Sequence, residues 1–261
     1  VNPVASPEVQ RLAHVLGVVP DRLAGLAGVP AGDVRLLHGQ VVDFLFRADK
    51  AAFLRVAALS KSVPVAVAAK LAEAALPPLL AARAAELIDS TRAAELVGRL
   101  SSGYVADVAA AMEPSRAPDL IRQMPARHIA NVAAELARRQ EWVVIGGFVA
   151  QVSPEALAAC IDEFDGERLL RVGYVLDGKD RLDEIAEMIS DAQVDDVFAA
   201  AARLELWTEL DDLVTHLRPE RRSRMATRFG RVAPEVRAAF ETAGADGVLA
   251  EPTLAVLRAA S

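Results

Sequence analysis

The residues best suited to chemistry are few and scattered. Of the four histidines, His14, His38, His128 and His216, none falls in a His-Glu-x-x-His or His-x-x-x-His spacing, and Cys160 is the sole cysteine. A transition metal needs three or four nitrogen or sulfur ligands brought together, so neither such a metal nor a disulfide framework is expected. Asp162, Glu163, Asp165 and Glu167, followed by Asp177, Asp180, Asp183 and Glu184, offer oxygens to Mg²⁺ or Ca²⁺. Asp177-Gly178-Lys179-Asp180 lacks the Asp-x-Asp-x-Asp-Gly order of a calcium loop, however, and Lys179 and Arg181 supply counter-charge, so a solvated acidic face is expected. No phosphate loop, dinucleotide fingerprint or nucleophile elbow occurs. The expectation is a protein that is not an enzyme and carries no cofactor.

Two stretches suit binding instead. Trp142 to Ala150 (Trp-Val-Val-Ile-Gly-Gly-Phe-Val-Ala) is apolar on every side, as in a helix enclosed by neighbours. Its Gly146-Gly147 pair costs roughly 1 kcal/mol per glycine relative to alanine in a helix interior. Either a close helix crossing offsets that cost, or the glycines open an apolar cavity. Such a cavity, lined by Trp142, Gly146, Gly147, Phe148, Phe164 and Tyr174, would take a hydrophobic small molecule. The second stretch is the basic run Arg218, Arg221, Arg222, Arg224, Arg228 and Arg231. Arg221, Arg224 and Arg228 share a helix face and are candidate contacts for a protein partner, although an ordinary amphipathic helix with Met225 and Phe229 inward is the reading their spacing favours.

Bulk charge narrows the partners. The 261 residues carry a formal net charge of −7, which repels nucleic acid and anionic lipid, and no aromatic residues interleave the arginines for base stacking. Gln10 to Leu23 resembles the start of a helix-turn-helix, but Asp21 to Leu26 is too short and too weakly basic to read a major groove. Nucleic acid is therefore not an expected partner. The longest charge-free stretch, Trp142 to Pro154, is thirteen residues against the roughly 20 that span a bilayer. With no basic n-region or apolar h-region at the N-terminus, the cytoplasm is the expected location. Arginine outnumbers lysine, as in a GC-rich bacterial coding sequence, and Val1 suits a GTG start.

The elements that must position these residues follow from composition and period. Of the 261 residues 52 are alanine and 5% are aromatic, which favours helices in close approach. Large apolar residues recur every twelfth position at Leu76, Ile88, Leu100, Met112, Met124 and Leu136. Seven before each lie Ala69, Ala81, Ala93, Val105, Ala117 and Ile129; four before lie Ala72, Ala84, Leu96, Val108, Leu120 and Val132. These positions share one helical face. The phase slips by four residues after Leu136, resumes at Val152, Phe164, Leu176 and Met188, and slips again to Leu204. Prolines 77, 125, 154 and 219 follow anchors, where they end one helix and open the next. N-caps are expected at Asp89 or Ser90, Ser153 and Ser190.

Short helices of about ten residues are unstable alone and must stack. The fold expected is all-α: a right- or left-winding superhelix (solenoid) of short antiparallel helices over residues 62–232, with helical caps at 1–61 and 233–261 sharing one core. Within the caps, helices are expected at Pro7 to Leu16, Pro20 to Leu26, Ala31 to Arg47, Lys50 to Leu59, Pro234 to Ala243 and Pro252 to Ala260.

Leu76-Pro77 followed by Ala81, Ala84-Ala85 and Leu87-Ile88, then Thr91, Ala93-Ala94, Leu96-Val97 and Leu100, resembles the short-helix superhelix of the intracellular N-terminal domain of MgtE-type magnesium transporters. A related pattern occurs in flagellar rotor switch proteins. The resemblance covers residues 64–137 well, 152–232 loosely and the first sixty not at all. It implies a domain of that architecture that makes regulatory contacts with other protein surfaces. The transporters' nucleotide-binding-like and membrane parts have no counterpart here, so transport is not implied, and no functional residue carries over.

Overall fold

The computed structural model describes residues 6–48, 58, 63–176 and 179–259. Among them every regular element is helical and no strand occurs. The helix expected at Lys50 to Leu59 lies almost wholly outside the described residues, as does the Asp177-Gly178 step of the acidic loop. The chain forms two compact units, residues 1–156 and 157–261.

In the first unit α1 (Pro7–Leu16) is opened by Ser6, whose hydroxyl accepts from the Val9 N–H, and a 3₁₀ helix follows at Pro20–Leu26. α1 packs on both this 3₁₀ helix and α2 (Ala31–Ala48), through Val9, Leu12 and Val34, with Leu23, Leu26 and Val41 against them. The alanine-rich stretch then gives α3 (Val65–Ala75), α4 (Pro78–Ala85), α5 (Ser90–Val97), α6 (Ser102–Ala110), α7 (Pro118–Gln123) and α8 (Ala126–Arg138). Asp89 caps α5 as its sequence suggests, accepting from the Arg92 N–H at 3.1 Å. Each helix packs on the second one after it: α3 on α5, α4 on α6, α5 on α7 and α6 on α8. His14 ties α1 into this stack, its Nε2 donating to the Ala110 carbonyl at 2.8 Å. After α9 (Trp142–Phe148), Ser153 caps α10 (Pro154–Asp162), which spans the division between the units.

The second unit holds α11 (Gly166–Val175), α12 (Leu182–Met188), α13 (Asp191–Leu204), α14 (Trp207–His216), α15 (Pro219–Phe229), α16 (Pro234–Ala245) and α17 (Glu251–Arg258). Ser190 and Gln193 form a reciprocal capping box on α13. The core is built on Phe198, Phe229 and Phe240, whose rings meet at 5.1 and 4.7 Å between centroids, with Trp207 edge-on to Phe240 at 6.3 Å.

Two helices are longer than their neighbours, α8 at 13 residues and α13 at 14. Both end in the same turn. Gln140 (φ 61°) and Glu205 (φ 56°) are left-handed, and the next residue donates back to the helix: Glu141 N–H to Leu136 O at 3.0 Å, and Leu206 N–H to Ala201 O at 3.1 Å. Each turn then opens a helix on a tryptophan, Trp142 and Trp207.

Candidate functional site

The residues singled out by their chemistry are distributed between the units. Trp142 and Phe148, both half-buried, and the buried Gly146 belong to α9 in the first unit. A β-carbon on Gly147 would lie 3.7 Å from Pro114 Cγ, an ordinary contact, so no tight crossing constrains that glycine. Phe164 and Tyr174 are buried in the second unit. Tyr174 and Gly173 end α11 with carbonyls that both accept from Lys179 Nζ at 2.8 Å, and the same ammonium reaches Asp212 Oδ2 at 2.6 Å.

The arginine run is engaged within its own unit. Arg218 pairs with Asp183 at 3.0 Å, Arg221 with Glu187 at 3.0 Å, Arg224 with Asp191 at 2.7 Å, and Arg228 with Asp195 and, at 3.5 Å, Asp191. Arg224 also donates to the carbonyls of Ala186 and Ile189 at 3.0 and 2.8 Å, closing the end of α12. Spacing on α15 matches acids spaced four apart on α12 and α13, so the run is a ladder of ion pairs. Asp191 is accordingly held below its usual pKa, chiefly by its bond from Arg224.

The acidic stretch is likewise occupied with local work. Asp165 caps α11, Glu167 pairs with Arg171 at 2.9 Å, and Glu184 pairs with Arg181 at 2.8 Å. Among the described residues no three histidine, cysteine or acidic side chains converge as a metal site. Burial pushes the Cys160 thiol up to about 11, so it is not a thiolate nucleophile at neutral pH. Nor is any helix of the described residues long and apolar enough to cross a membrane.

One concave feature stands apart from all of these. An apolar cleft of about 300 Å³ opens between α3, α4, α5 and α6 in the first unit. Its wall is the twelve-residue register itself: Ala69, Ala81 and Ala93 from one column, Ala72 and Ala84 from the next, and Leu76, Ile88 and Leu100 from the anchors. Ala69, Ala84 and Ala93 are buried at its floor, the three anchors are half-buried, and Leu71 at the rim is 57% exposed. Among the described residues the one hydroxyl in the wall, that of Tyr104, donates to the Leu76 carbonyl at 2.7 Å, and no charged side chain lines the cleft.

Sequence reasoning raised an apolar pocket near Trp142 as one of two readings of its glycine pair and did not point to this one. The signal was present, because one inward column is alanine through three successive units and a second through two, and helices held apart by ordinary turns leave space that methyl groups do not fill.

Buried carboxylates lie outside the cleft. Glu86 follows α4 with its side chain 2% exposed; Oε1 accepts from Arg83 at 2.9 Å, while Oε2 is buried without a partner among the described residues. Burial raises its pKa despite Arg83. Burial also raises that of Glu209 on α14. Glu8 differs: burial pushes it up, but bonds from Arg35 and Arg11 at 2.8 and 2.9 Å outweigh that and hold it below the usual range.

Comparison of the chain with protein-family models, with curated proteins and with solved structures gives no match.

Proposed function

We propose that the chain is a non-enzymatic helical-repeat module that acts by binding, and that its working surface is the apolar cleft of residues 63–108. The repeat architecture is supported by helix starts at Pro78, Ser90 and Ser102, twelve apart, and by the packing of each helix on the second one after it. It is supported again by starts sixteen apart at Ala126 and Trp142, and at Asp191 and Trp207, where the register slips by four. These spacings support a superhelix of short helices, the architecture implied by the resemblance to the MgtE-type intracellular domain, with regulatory contact as its role.

The observation that carries the reading is the cleft. The cleft is open to solvent at Leu71, so water meets its apolar wall, and removing apolar surface from water gains about 25 cal/mol per Å². An apolar occupant supplies that gain. A protein partner is favoured by Val67, Leu71 and Leu79, 48%, 57% and 53% exposed on the helices that form the cleft. A hydrophobic small molecule is favoured by the volume and by the absence of a free polar group in the wall.

The test is titration with 1-anilinonaphthalene-8-sulfonate. The native chain is expected to bind the dye at one saturable site, and Ala72→Leu, which fills the cleft from its wall, to weaken binding at least tenfold with helicity unchanged. Equal binding by both proteins removes the cleft from the function.

A further inference from the structure

We infer that the cleft takes a single unbranched hydrocarbon chain of about ten to twelve carbons, with its polar end left in water at the rim beside Leu71. This rests on the reading of the cleft as the binding surface.

Size comes first. An apolar cavity of about 150 Å³ accommodates benzene, with six carbons, so twice that volume takes about ten to twelve. Chemistry comes next. Among the described residues the wall offers no charge, and its one hydroxyl is already donated to Leu76, so any polar atom drawn inside would lose its water without replacement. A ligand therefore carries its polar group outside. Shape is the third constraint. The wall is repeated rather than convergent, the same alanine and leucine or isoleucine positions recurring in three successive units, so a ligand meets one kind of surface along its length. A chain of equivalent methylenes matches that along its whole length, whereas a compact polycycle meets only part of it. The lining contains one aromatic ring, Tyr104, and so offers little for stacking.

The experiment is calorimetric titration of the full chain with 1-alkanols from hexanol to tetradecanol, and with the corresponding alkanoates. Each added methylene is expected to tighten binding roughly three- to fourfold until the cleft is full near ten to twelve carbons, after which affinity levels off. Alkanol and alkanoate of equal length are expected to agree within a few-fold, because the head stays in water. Ala72→Leu adds three carbons to the wall, so the plateau should move about three carbons shorter.

If the dye binds and Ala72→Leu blocks it, but affinity does not depend on chain length, the chain is the wrong ligand while the cleft remains the binding surface. If an amphipathic leucine-rich peptide displaces the dye more tightly than decanol does, the cleft belongs to a protein partner and the inference falls. If neither dye nor alkanol binds, both readings fall together.

Discussion

A β-carbon on Gly166 would lie 2.3 Å from the Asp196 carbonyl oxygen and 2.5 Å from the Val197 nitrogen. Those are backbone atoms with nowhere to move, so α11 and α13 approach there to the limit that a hydrogen side chain permits. The Gly166 N–H donates to Asp196 Oδ2 at 2.6 Å across the same contact. Gly166→Ala is therefore expected to lower the unfolding free energy by about 1–3 kcal/mol, the usual cost of forcing atoms into a packed interface. Gly147→Ala, whose methyl meets Pro114 at an ordinary contact distance, should instead gain up to about 1 kcal/mol in helix propensity. Urea denaturation of the two variants checks both signs. Sequence drew attention to the pair at 146–147 because consecutive glycines are conspicuous. Gly166 follows a capping aspartate, where glycine is unremarkable, and its constraint comes from a helix thirty residues away that no local pattern reveals.

The turns after α8 and α13 explain why the register slips where it does. Each of these helices runs about one turn beyond its neighbours and closes with a residue in the left-handed region, whose successor bonds back to the carbonyl five residues earlier. The same closure after α1 and α16 uses Gly17 (φ 65°) and Gly247 (φ 72°), which adopt it freely. Gln140 and Glu205 do so against a steric cost of about 1–2 kcal/mol. Gln140→Gly and Glu205→Gly are thus each expected to stabilise by about 0.5–1 kcal/mol, less than the full cost because glycine also loosens the unfolded chain. Thermal melts with a lower midpoint for either variant would show that the side chain contributes more than the turn strain removes. Much at this scale was legible: α1 and the 3₁₀ helix occupy the residues expected, and Asp89, Ser153 and Ser190 cap as expected. The arginine ladder was not, because a basic face reads the same whether it meets water, a partner or the chain's own acids.

Across the whole molecule, helical periodicity says which residues share a face but not what that face meets. Leu136, Phe164 and Leu176 sit in packed cores at 3%, 7% and 2% exposure, whereas Leu76, Ile88 and Leu100, from the same register, border the cleft. Side-chain volume decides between the two outcomes, and the alanine columns beside the early anchors supply too little of it. Acid–base behaviour is also set by burial, and it divides between the units. Burial raises Glu86 in the first unit and Glu209 in the second above the ordinary 4.5, so each folded unit binds that proton more tightly than the unfolded chain. The stability this brings is fully present below about pH 4.5 and is lost as pH rises through the higher folded values. Glu135, held down to about 2 by Arg138 and Arg139, and Glu184 and Asp191, lowered by Arg181 and Arg224, act oppositely: their contribution is present at neutral pH and lost as pH falls below about 4. Stability should therefore fall steeply below about pH 4 and decline again as pH rises through the folded values of Glu86 and Glu209. Trp142 reports on the first unit and Trp207 on the second, so single-tryptophan proteins made by Trp207→Phe or Trp142→Phe follow each separately. Glu86→Gln is expected to flatten the decline above pH 4.5 in the Trp142 signal alone, and Glu209→Gln in the Trp207 signal alone, with the acid limb unchanged in both. A decline that persists in both variants would mean that these carboxylates are hydrated in the folded chain.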